Sequence, residues 1–114
     1  MDNESEINIF MALNFIRDNA PAYAKAKAER IYLEEFRKTR KALLMQQGQA
    51  KGINASNAQE TYAYAHPEYV EHLEALRTAV ETEEKFRWLF VAAEAKIEAW
   101  RTIQANQRLE ARTV

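Results

Sequence analysis

The sequence predicts an all-α fold: an antiparallel helical hairpin with one very long C-terminal helix and a short N-terminal helix, completed into a helical bundle by oligomerisation. Three observations predict it. The 114 residues include only two glycines and two prolines, so turns are few, while the good helix formers Ala, Glu, Lys, Arg, Gln and Leu are abundant. The run from Pro67 to Ala111 has no glycine and no proline after its first position. As a helix it would be roughly 67 Å long, well beyond the diameter of one small globule. Finally, apolar residues recur at alternating spacings of three and four in both halves of the chain, the pattern of helices packed along a seam.

The first helix is expected from Ser5 to about Asp18, with Asn3 or Ser5 as its N-cap and acids in its first turn. Ile7, Ile9, Phe10, Met11, Leu13, Phe15 and Ile16 make it apolar nearly all round. Asn19-Ala20-Pro21 should then break or kink the chain, because Pro21 lacks an N–H and suits the first turn of a new helix. The second helix runs from residue 21 to about 47. Its expected seam is Ala22, Ala26, Leu33, Phe36 and Leu43, with Glu29 and Arg40 filling gaps and Ile31, Tyr32 and Leu44 widening it. Residues 48–57, with both glycines and no apolar periodicity, read as a flexible connector. A short helix over 58–65 carries Tyr62 and Tyr64, and His66-Pro67-Glu68 opens the long helix over 67–111. The whole, 1–114, is read as a single helical domain.

The long helix is apolar on two faces. Its expected inner seam is Tyr69, Leu73, Leu76, Val80, Phe86, Phe90, Ala93, Ile97 and Trp100, interrupted by Glu83. At about 100° per residue, Trp88, Val91, Ala92, Ala95, Ala99 and Thr102 gather near the opposite pole. Small residues there let another helix approach closely, so Trp88, Val91, Ala92, Ala95 and Ala99 are the expected oligomer interface.

The near-zero net charge of −1 conceals an asymmetry. Residues 21–51 carry eight basic and three acidic side chains, and residues 66–98 carry four basic and eight acidic ones. The two segments should attract, with Glu83 as a register device opposite Arg30, Arg37 or Arg40. The alternative use of the basic side is phosphate binding. Lys27, Arg30, Lys38 and Lys41 form a stripe able to contact nucleic acid electrostatically. The aromatic residues fall at core spacing, so no sequence-specific reader is expected.

Other chemistry is sparse. With no cysteine, neither a disulfide framework nor a thiolate zinc site can form. His66 and His72, near Glu68 and Glu71, lie six residues apart on different helix faces, which favours a cap and a seam-side histidine over a metal site. Tyr62, Tyr64 and Tyr69 read first as cover for a helix end, second as a stacking surface. No nucleophile, acid–base pair or cofactor loop is apparent, so no catalytic residue, cofactor or metal is expected and the protein is read as not an enzyme. No stretch approaches the roughly 18 apolar residues of a membrane span, and the acidic Asp2-Asn3-Glu4-Ser5-Glu6 opposes a secretory signal in sign. A cytoplasmic protein without membrane contact is expected.

KFRWLFVAAEAKIEAWRTIQANQR (Lys85 to Arg108) together with KAERIYLEEFRKTRKALLM (Lys27 to Met45), about 40% of the chain, resembles small helical proteins carried by tailed phages and prophages. The resemblance implies an early-gene setting in recombination, replication or host takeover, in the host cytoplasm. It implies binding to a host or phage protein, or assistance to DNA transactions, and it assigns no active residue.

Overall fold

The computed structural model describes residues 8–113 and, among them, contains helices and no strand: α1 (Ile9–Ala50), α2 (Ser56–Ala65) and α3 (Pro67–Thr113). The expected helix start at Ser5, and the caps Asn3 and Ser5, lie outside the described residues. Within them Asn8 caps α1, its Oδ1 accepting the Met11 N–H at 3.0 Å.

α1 differs from expectation by running unbroken through Pro21. A proline inside a helix costs about 3 kcal/mol, and packing on both sides of it offsets that cost. Phe15 meets Phe90 edge to face at 5.7 Å before it, and Tyr23 contacts Phe90 at 4.9 Å and Phe86 at 6.2 Å after it. Pro21 itself is exposed, so the Arg17 carbonyl that loses its helical partner lies on the solvated side. The expected short N-terminal helix is therefore the first part of one long helix.

The chain forms two compact units. One consists of the chain up to Tyr23 together with the chain from Glu84 onward, and the other of Ala24–Glu83. In each, α1 and α3 run antiparallel.

In the first unit α1 packs Ile9, Ala12, Ile16, Asn19 and Tyr23 toward α3, and α3 answers with Phe86, Phe90, Ala93, Ile97 and Trp100. Both sets follow the three-and-four spacing of helices packed along a seam, with Phe15 beside Ile16 also reaching Phe90.

In the second unit α1 turns Ala26, Arg30, Leu33, Phe36, Arg40 and Leu44 inward, against Tyr69, His72, Leu76, Ala79 and Glu83. Several of the expected seam positions are displaced by one residue: Leu43, Leu73 and Val80 are exposed, as are Ala22 and Glu29, while Leu44, His72 and Ala79 are buried. His72 tolerates burial because its Nε2–H donates to the Leu33 carbonyl at 2.6 Å and its ring stacks on Phe36. The best-packed point is Leu44 with Ala63 and Tyr69, flanked by Met45.

The connection between α1 and α2 is shorter than residues 48–57. Gly48 to Ala50 belong to α1 and Ser56 and Asn57 to α2. Within the helix, position 48 suits glycine because the Tyr62 ring occupies the space a side chain would need: an added Cβ would lie 2.9 Å from Tyr62 Cδ1. α1 ends at Ala50, and Gly52, two residues on, closes a Schellman turn with a φ of +97°. The Ile53 N–H donates to the Gly48 carbonyl at 3.1 Å and the Gly52 N–H to that of Gln49 at 3.0 Å. The Gln59 side chain then ties the turn to α2 by donating to the Ile53 carbonyl at 2.8 Å. Pro67 disfavours a helical His66, which ends α2, and the His66 Nδ1 accepts the Glu68 N–H at 3.0 Å, capping α3.

Candidate interaction surfaces

Two helices side by side form one layer of core. Its buried positions are mostly alanine (Ala12, Ala26, Ala63, Ala79 and Ala93), and the larger buried residues are Leu44, Tyr69 and His72. Much apolar surface is left outside. In the first unit Phe10 is 73% exposed, Met11 68% and Trp88 59%, and Leu13, Leu89, Val91, Ile103 and Leu109 are exposed as well.

The outward face of α3 in this unit is ordered as well as apolar. Trp88, Ala92, Ala95 and Ala99 recur at four and three residues and are all exposed, and the same spacing continues through the polar Thr102 and Asn106 to the exposed Leu109. This is a second seam of the same period as the inner one, with Val91 at its edge. It covers one part of the helix only: the equivalent earlier positions, Glu74, Thr78, Glu81 and Lys85, are polar. At the head of the stripe the Arg87 guanidinium lies 4.6 Å from the Trp88 ring and pairs with Glu84 at 2.7 Å. The indole face is thereby held beside a fixed cation.

The four residues of the basic stripe divide into two kinds. Lys27 and Lys38 are exposed and make no ion pair among the described residues. Arg30 is half-buried, bound to both carboxylate oxygens of Glu83 and, at 2.9 Å, to Glu34. Lys41 donates to Glu60 at 2.7 Å and sits 4.7 Å from the Tyr64 ring. Hydrogen bonds to these carboxylates, first Glu83 for Arg30 and first Glu60 for Lys41, hold both cations above their ordinary pKa ranges.

Beside Lys41 the second unit opens a groove of about 650 Å³, lined by Arg37, Lys38, Lys41, Ala42, Met45, Tyr64 and Tyr69. In the sequence its cations and its tyrosines stand apart as separate features. What joins them is the corner at Gly52 and His66, which folds α2 back onto α1. The signal in the sequence is the glycine pair with the His-Pro step, features that read locally as a connector and a helix start.

Histidine supplies no shared site. His66 caps α3 and His72 serves the seam, and among the described residues no three His, Asp or Glu side chains are grouped to hold a metal ion. Among the described residues no helix is long and apolar enough to cross a membrane. Compared with protein-family models, with curated proteins and with solved structures, the chain matches none, and its own geometry carries the functional reading.

Proposed function

We propose that this is a non-enzymatic accessory protein of phage type. It acts by protein–protein binding, assembling with copies of itself through the outer stripe of α3 to complete a helical bundle. The observation that supports this is the coincidence of period and exposure at Trp88, Ala92, Ala95 and Ala99. A helix facing only water has no use for a second three-and-four apolar seam, whereas a helix with partners on two sides requires one. The alanines permit close approach of backbones, and Trp88 supplies the large aromatic anchor on which interface energies concentrate. Host or phage proteins are the further partners this surface would engage. The test is sedimentation of the wild type beside the double variant Trp88→Glu, Ala95→Glu, with helicity followed by circular dichroism: association should weaken while helicity holds.

A second reading, a nucleic-acid-binding accessory of phage recombination or replication, is favoured by the exposed Lys27 and Lys38. It predicts affinity for DNA that falls steeply with salt. Arg30 and Lys41, engaged by carboxylates, weigh against a continuous phosphate track.

A further inference from the structure

The groove beside Lys41 changes character along its length. Arg37, Lys38 and Lys41 line it first along α1, and Ala42 and Met45 follow on the same helix. From Arg37 to Met45 is eight residues, about 12 Å of helix. Tyr64 of α2 and Tyr69 of α3 form the other wall, set edge to face at 5.2 Å. Ala42 is exposed and too small to fill the space between. The resulting 650 Å³ falls within the roughly 300–1,000 Å³ of small-molecule sites.

The cations are unequal. Lys41 donates to Glu60 at 2.7 Å and lies 4.7 Å from the Tyr64 ring, so its charge is already answered. Arg37 and Lys38 are exposed and make no ion pair among the described residues, and no carboxylate lines the groove. Two long side chains, one a planar guanidinium fork, can converge on a single anionic group. Glu60, held beside them by Lys41, disfavours a second negative charge. Further along, Ala42, the adaptable thioether of Met45 and the half-exposed Tyr64 offer contacts to a flat apolar body. No asparagine or glutamine lines the groove to read the edge of a nucleotide base.

We propose that this groove is a binding site for a small aromatic monoanion, a flat ring system bearing a single carboxylate. The carboxylate lies between Arg37 and Lys38, and the rings lie over Ala42 against Met45 and Tyr64. The site belongs to the second unit and shares no residue with the α3 stripe, so it goes beyond the assembly reading and does not depend on it.

The test is titration of the full, isotope-labelled chain with naphthoate, followed by the amide resonances. Saturable, one-to-one shifts should appear over residues 37–45 and at Tyr64 and Tyr69. The neutral counterpart naphthylmethanol should bind about tenfold more weakly, and naphthoate should lose about the same factor against the variant Arg37→Gln, Lys38→Gln, because the charged contact is gone. Rising salt should weaken binding of naphthoate alone. Ala42→Leu fills the floor without touching a charge and keeps a good helix former at an exposed position, so binding should be lost while circular dichroism stays helical. No saturable shift, equal binding of naphthoate and naphthylmethanol, shifts centred on Trp88, or adenosine monophosphate bound at these residues more tightly than naphthoate would overturn the proposal. Naphthoate binding by a chain that sediments as a monomer removes the stripe reading alone, and stripe-dependent assembly without naphthoate binding removes the groove alone.

Discussion

Arg30 holds both carboxylate oxygens of Glu83 across the α1–α3 seam, a contact between residues 53 apart in sequence. It places two charges at seam positions flanked by Ala26, Leu33 and Ala79, and Arg30 is further pinned by Glu34 one turn along α1. Slipping the helices past each other by one turn would bury each charge against a hydrophobic neighbour. The pair thus selects one register more than it adds stability.

The first prediction follows from that contact. Glu83→Gln should lower the melting midpoint by several degrees, because a half-buried guanidinium loses its counter-charge across the seam and keeps only Glu34 on its own helix. The swapped chain Arg30→Glu, Glu83→Arg should recover part of the loss. Thermal melts followed at 222 nm check both. A Glu83→Gln chain as stable as wild type would mean that the pair does not hold the seam.

The corner between α1 and α2 gives a contrast among small substitutions. Leu44→Ala should cost about 2–4 kcal/mol, since Leu44 is 2% exposed at the best-packed point. Gly48→Ala should cost about 1–2 kcal/mol despite alanine's better helix propensity, because the new methyl meets the Tyr62 ring. Gly52→Ala should cost a similar amount, about 1–2 kcal/mol, for a different reason: nothing crowds it, but its φ is positive. Urea denaturation distinguishes these from neutral changes.

Tyr62→Phe should be neutral or stabilising. The Tyr62 hydroxyl is buried and has no hydrogen-bond partner among the described residues, so its removal relieves a desolvated polar group while the ring stays on Gly48. Destabilisation in the same urea titration would show that the hydroxyl makes a bond.

These positions also show what the sequence could disclose. Fold class, the antiparallel pairing of long helices, the pairing of Glu83 with an arginine of α1, and the capping role of His66 are legible in the sequence, because period, charge and proline placement are local signals. The continuity of α1 through Pro21 is not legible in the sequence, because it depends on the Phe15–Phe90 and Tyr23–Phe90 contacts between distant segments, which offset a local helix penalty. The observed seam is one residue out of phase with the expected one: His72 stands in place of Leu73 and Leu44 in place of Leu43. Helix phase is fixed by the whole contact, and a histidine bonded to the Leu33 carbonyl fills a seam position that composition alone gives to leucine. The groove was invisible because it depends on the Gly52 turn bringing Tyr64 beside Lys41.

The basic side chains of α1 should respond in two classes. Reversing Lys27 and Lys38 to glutamate should leave the melting midpoint unchanged, whereas reversing Arg30 and Lys41 should lower it, because only the latter hold carboxylates. If all four reversals left stability untouched and abolished salt-sensitive DNA binding, the nucleic-acid reading would take first place.

The outer stripe of α3 is the centre of the account, and sedimentation equilibrium of the full wild-type chain at tens of micromolar tests it most directly. The predicted result is a mass above that of a single 13.3 kDa chain, reduced toward that mass by Trp88→Glu with Ala95→Glu while circular dichroism stays helical. A wild-type chain that sediments as a monomer across that range would contradict it.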